Sequence, residues 1–191
     1  MFKRRKPLTK LQHVRELFWP SMGWRRAFRY IYLRMIRLSD STHNIAMGLA
    51  IGVSISFNPL LGTHFMQAAL FAWLMRANIL ASLIGTFAGN PWTFPFLWWA
   101  GIKFGSYLFY VLGLPASDAL PKHFDFEVLM HFVRNDPLRV IIPWTIGGYV
   151  LGLLSMPVTY MLSYRAIRAG KLARKQAKLY RIHQVALEVT K

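Results

Sequence analysis

The segment from Ile45 to Met75 contains no Lys, Arg, Asp or Glu. That is longer than the roughly 20 apolar residues a membrane-spanning helix needs. It is nevertheless interrupted at Asn58-Pro59-Leu60-Leu61-Gly62. Proline removes a backbone donor and clashes with the preceding turn, and it pushes its predecessor out of the helical region. The stretch is therefore predicted to form two short apolar helices, near 45–57 and 64–75. At about 1.5 Å per residue neither is long enough to cross a bilayer alone. A re-entrant hairpin is the natural reading, and a single broken helix is its rival.

A second apolar stretch runs from Ile79 to about Leu114, marked by Lys103. It breaks early, at Gly89-Asn90-Pro91-Trp92-Thr93-Phe94-Pro95. Val140 to Tyr164 then gives 25 residues without a formal charge, the best candidate for a full span. Pro143 and Pro157 are potential kinks there, and Gly147, Gly148 and Gly152 would permit close helix packing. Between these stretches, residues 115–139 hold Asp118, Asp125, Glu127 and Asp136, four of the seven acidic residues. This segment reads as extramembrane, with one helix near 125–134.

Charge separates the ends from the middle. The chain carries 24 Lys and Arg against 7 acidic residues, a net charge of +17. Eleven of the basic residues lie before Leu38 and eight follow Tyr164. Only 16% of the chain is charged and 54% is hydrophobic, which excludes an ordinary soluble globule and a disordered chain. A high pI commonly signals nucleic-acid binding. Basic ends around an almost uncharged middle fit the positive-inside rule better. Both ends are expected on the cytoplasmic side, with an even number of crossings. Arg15 and Glu16 interrupt any signal-peptide apolar region. The chain has no cysteine, so neither a disulfide framework nor a thiolate metal site is available.

Residues 20–38 read as an amphipathic helix, with Pro20 suited to its first turn. Trp24, Ala27, Phe28, Ile31, Tyr32, Met35 and Leu38 share one face at 100° per residue. Arg25, Arg26, Arg29, Arg34 and Arg37 share the other. This pattern fits a helix lying among anionic lipid head groups; the plainer reading is an amphipathic helix packed on another domain. Ser39, Asp40, Ser41 and Thr42 offer N-cap chemistry for the apolar run that follows. Residues 165–191 read as a basic helix returning along or away from the cytoplasmic face.

The paired breaks carry the functional signal. Asn58-Pro59 and Asn90-Pro91 lie 32 residues apart, each between apolar helices, as a weak internal repeat. Irregular backbone at membrane depth must be buried in protein or line a wet cavity. Interrupted hydrophobic segments in corresponding positions mark binding sites in transporter-like folds. The candidate substrate-binding residues are Asn58, Pro59, Gly62, His64, Gln67, Asn90, Pro91 and Thr93. His64 could hold a proton or an acidic group. The plainer reading makes the Asn side chains helix caps and His64 an interhelical donor.

Ile45-Ala46-Met47-Gly48-Leu49-Ala50-Ile51-Gly52-Val53, Phe57-Asn58-Pro59, Gly62-Thr63-His64, Arg76-Ala77-Asn78, Gly85-Thr86 and Gly89-Asn90-Pro91-Trp92-Thr93 occur in this order. Over about residues 40–165 they resemble a prokaryotic membrane family known as domain of unknown function 2062. The resemblance implies a bacterial inner-membrane protein and implies no activity. The glycosyltransferase fused to this domain in some relatives has no room here.

Other chemistry is weaker. His123, Asp125, Glu127 and His131 are close in sequence, but Phe124 and Phe126 alternate with them, so a solvated face is the better reading than a metal site. No phosphate loop, nucleophile elbow or zinc-protease motif is present. No acidic residue in the apolar stretches could orient a histidine for hydrolysis.

The resulting expectation is an all-α, polytopic inner-membrane protein with broken or re-entrant hairpins. Its parts are a basic tail and interfacial helix (1–39), a membrane domain (40–164) and a basic cytoplasmic helix (165–191). No catalytic residue, metal or cofactor is expected. The expected partners are the lipid bilayer and a second copy or another membrane protein, with nucleic acid disfavoured. The function is expected to be transporter-like or lipid-handling, with a structural or adaptor subunit as the alternative and a membrane enzyme as the weakest reading.

Overall fold

The computed structural model describes residues 23–115, 126–135 and 137–189, and every regular element among them is helical. The chain divides into two compact units, Met1–Leu38 and Ser39–Lys191. In the first, α1 spans Trp24–Ile36. Pro20 and the basic tail lie outside the described residues, as do the side chains of Trp24, Ala27 and Phe28. The arginines Arg25, Arg26, Arg29, Arg34 and Arg37 are exposed, and Arg34 donates to the Tyr30 hydroxyl.

The second unit begins with α2, Thr42–Ile55, capped by Ser41, whose hydroxyl accepts from the Asn44 N–H. The chain turns through residues 56–63 into α3, His64–Leu74. Next come α4, Ile79–Gly85, and a single 3-10 turn, Thr86–Ala88. Asn78 caps α4 by accepting from the Ala81 N–H at 2.8 Å. A second break leads into α5, Phe94–Val111, with Pro95 in its first turn, where a missing N–H costs nothing. A short helix, α6, occupies Phe126–Asn135. The last helix, α7, runs unbroken from Pro137 to Val189.

Glycine contacts fix how these helices run. Gly48 and Gly52 of α2 abut Asn78, Ala81, Ser82 and Gly85, so α2 and α4 are parallel. Asn78 N–H also donates to Asn44 O beside the start of α2. Helix α3 therefore returns to the level at which α2 began, and α2–α3 is a hairpin. The α4–α5 unit behaves differently. Phe94 meets the α2–α3 turn, whereas Gly101 and Gly105 further on pack against Gly147, Gly148 and Pro143 of α7. Along α7, the contacts after Gly105 and Gly101 are Phe57 at Gly148, Ser54 at Gly152, His43 at Tyr160 and Asp40 at Lys171. Helix α5 thus carries on in the direction of α4, away from the hairpin, and α7 returns antiparallel to both.

The first break is therefore a hairpin turn, whereas the second is a broken helix continuing one way. A proline break leaves the exit direction open, and packing against α7 chooses it. The expected boundary at 164/165 is a change of polarity inside one helix, since nothing there interrupts the backbone hydrogen bonding. Pro143 and Pro157 also sit within α7 without ending it. Its 53 residues extend about 80 Å at 1.5 Å each. Of the segment expected to be extramembrane, Pro115, α6 and the start of α7 are described, and His123 and Asp125 lie outside the described residues.

Candidate functional site

Both Asn-Pro breaks use the same local chemistry. Asn58 Oδ1 accepts from the Leu60 N–H at 2.8 Å, and Asn90 Oδ1 accepts from the Trp92 N–H at 2.9 Å. Each is an Asx turn, in which the side chain supplies the acceptor that the proline-broken helix cannot. The repeat read from sequence is thus a repeat of geometry. The breaks also meet. Ser56 Oγ donates across to Thr86 O at 3.2 Å, and the His64 ring stacks on Phe94 at 5.9 Å between centroids.

Their surroundings differ. Asn58 is 0% exposed. Its Nδ2 donates to Gln67 Oε1 at 3.3 Å, and its backbone oxygen lies 2.9 Å from His64 Nε2. Gln67 Oε1 also accepts from the Tyr149 hydroxyl at 2.8 Å, while Gln67 Nε2 donates to Thr63 Oγ1 at 2.6 Å. This node ties the hairpin to α7. Asn90 is only half-buried, and its partners are local: Thr93 N–H donates to Asn90 Oδ1, and Thr93 Oγ1 donates to Ala88 O. Pro59 is half-buried, while Pro91 and Gly62 are exposed, the latter at φ 85 with open space around it.

Of the candidate residues, the structure brings together Asn58, His64 and Gln67. Asn90, Pro91 and Thr93 form an adjoining turn, reached through Phe94. Sequence reasoning missed Tyr149, 82 positions from Gln67. It also missed the aromatic series from His64 through Phe94 and Trp98 to Trp144, with successive centroids 4.8 and 5.5 Å apart after Phe94. The Gly-x-x-x-Gly spacings at Gly48/Gly52, Gly101/Gly105 and Gly148/Gly152 were the available signal, because they mark where helices approach closely.

Within this series the indole N–H groups of Trp98 and Trp144 are buried without a hydrogen-bond partner among the described residues, as is the Thr145 hydroxyl of the same helix as Trp144. Buried polar groups nearly always find a partner, and leaving one unpaired costs roughly 1–3 kcal/mol. These donors suit an acceptor oxygen.

At the opposite end, Asp40 fastens three helices. Its carboxylate accepts from the Ser41 N–H at 2.7 Å, Asn44 Nδ2 at 2.9 Å and Asn78 Nδ2 at 3.0 Å. Lys171 Nζ donates to its backbone oxygen. The Asn78 hydrogen bond, helped by Ser41, Asn44 and the Lys171 charge against opposing burial, holds the carboxyl below its ordinary range. Among the described residues no cluster of three His, Asp or Glu side chains is placed to hold a metal.

A family model described as an uncharacterized protein conserved in bacteria (DUF2062) matches residues 25–176. No curated protein and no solved structure matches the chain.

Proposed function

We propose that this chain, which belongs to the bacterial family DUF2062, is a multi-pass inner-membrane protein that handles a lipid or small polar solute at its paired helix breaks. Helix α7 is long and apolar enough to span, and its uncharged stretch is preceded by Arg139 and followed by Arg165. The antiparallel α4–α5 unit would be the second crossing. The α2–α3 hairpin, whose arms of 14 and 11 residues reach only about 21 and 17 Å, would enter and leave on one side. That side is the cytoplasmic one by the positive-inside rule, with residues 1–39 at the interface and 165–191 beyond it. Residues 115–139 would then lie on the far side. The reading is non-enzymatic, with no cofactor.

The observation carrying the site assignment is the pair of unpaired indole donors on Trp98 and Trp144, in the aromatic series that leads from the breaks through Phe94. A bound acceptor group would relieve their cost. An adaptor role is the second reading. It is favoured by the completed bonding of Asn58 and Gln67, which makes the same turns good scaffold.

Single cysteines at Leu61 and Trp92, both exposed on the protein, separate the two. An impermeant maleimide should label both if the breaks meet an aqueous path, and transport or lipid-transfer assays of Asn58→Ala with Asn90→Ala should then show loss. Protection from both sides of the membrane would favour the adaptor.

A further inference from the structure

The turn between α3 and α4 carries a feature that the paired breaks do not explain. Ala77 N–H donates to Ala72 O at 2.8 Å and Arg76 N–H to Trp73 O at 3.1 Å. This pair of bonds is the Schellman motif, whose left-handed position is normally glycine. Here it is Arg76, at φ 52, the only positive-φ residue other than glycine among the described residues. A side chain there is strained, so its retention needs a compensating use. Interaction with the α3 C-terminus offers part of one. Yet the Arg76 side chain is exposed and has no hydrogen-bond or ion-pair partner among the described residues.

Arg76 lies on an open cleft of about 450 Å³ shared with Trp73, Leu74, Ala77 and Ile79. The cleft thus joins one cation to an indole and aliphatic surface. Trp73 is 68% exposed. We propose that this cleft binds a phospholipid: the Arg76 guanidinium takes the phosphodiester in a forked hydrogen bond, and Trp73, Leu74 and Ile79 receive the glycerol and upper acyl region. No carboxylate lines the cleft to pair with a cationic head, so phosphatidylglycerol should be preferred to phosphatidylcholine. The proposal rests on the membrane reading above, which brings this turn to the head-group level, and it concerns a site separate from the breaks.

The test is native mass spectrometry of the full chain in detergent, titrated with phosphatidylglycerol, phosphatidylcholine or inorganic phosphate. Arg76→Gln and Arg76→Gly should each weaken the tightest phosphatidylglycerol adduct about tenfold, as losing one charge-assisted contact does. Arg174→Gln, on the exposed part of α7, should leave that adduct intact. Arg76→Gly should also raise the unfolding temperature, because glycine suits the turn. Unchanged adducts in both Arg76 variants would overturn the proposal. So would an equal loss in Arg174→Gln, which would mean diffuse charge attraction, or phosphate binding as tightly as the lipid. A less stable Arg76→Gly would overturn it too, by assigning the arginine to the fold. Membrane fractionation of the same chain separates a failure of the membrane reading from a failure of the cleft.

Discussion

Asn58 and Asn90 occupy matching turns but differ in what depends on them. Truncating the buried Asn58 removes an Asx acceptor and takes one partner each from the part-buried Gln67 side chain and Leu60 N–H. Asn58→Ala should therefore cost about 1–3 kcal/mol. Asn90→Ala loses a cap-like contact at a half-buried turn and should cost about 1 kcal/mol. Chemical unfolding in detergent, followed by tryptophan fluorescence, would compare them; equal costs would contradict the asymmetry. Asp40 gives a pH prediction. Its folded pKa is lowered, so the stability it supplies is fully present above the ordinary carboxylate range and is lost as pH falls through the lowered folded value. Asp40→Asn should abolish that part of the acid sensitivity in thermal melts. The Asn-Pro pairs were legible in sequence because proline and Asx chemistry are local. Tyr149 and Asn78 as partners were not, because their contacts exist only once α7 and α4 are packed.

At the scale of elements, helix approach rests on missing Cβ atoms. A Cβ on Gly105 would lie 1.8 Å from Pro143 O, and one on Gly52 would lie 2.0 Å from Ser82 O. Gly105→Ala should force α5 away from α7 and destabilise by about 1–3 kcal/mol. Gly101→Ala meets nothing closer than 3.4 Å and should be much milder. Unfolding of the two variants in the same detergent checks the contrast. The short helices around both breaks were readable from apolar runs and prolines. Whether each broken pair folds back was not, since interruption fixes where a helix stops and not where the next one points. Nor was the length of α7 evident: Arg165 changes the helix's polarity while leaving its hydrogen bonds intact. In α1 the arginines Arg25, Arg26, Arg29 and Arg34 are exposed, as their spacing predicts for a polar face.

For the molecule as a whole, the reading depends on one asymmetry. The α2–α3 hairpin leaves from the level at which it entered, whereas α4–α5 carries the chain to the other end of α7. Placed in a bilayer, Met75 and Leu114 must then face opposite sides, and both are exposed on the protein. The all-α architecture followed from composition and pattern; which ends of the helices lie at opposite levels follows only from packing. The most direct measurement introduces single cysteines at Met75 and Leu114 into this cysteine-free chain and applies an impermeant maleimide to spheroplasts and to inverted vesicles. The account predicts that Leu114 is labelled from outside in spheroplasts and Met75 only in inverted vesicles. Labelling of both from the same side would contradict it, because α4–α5 would then not cross.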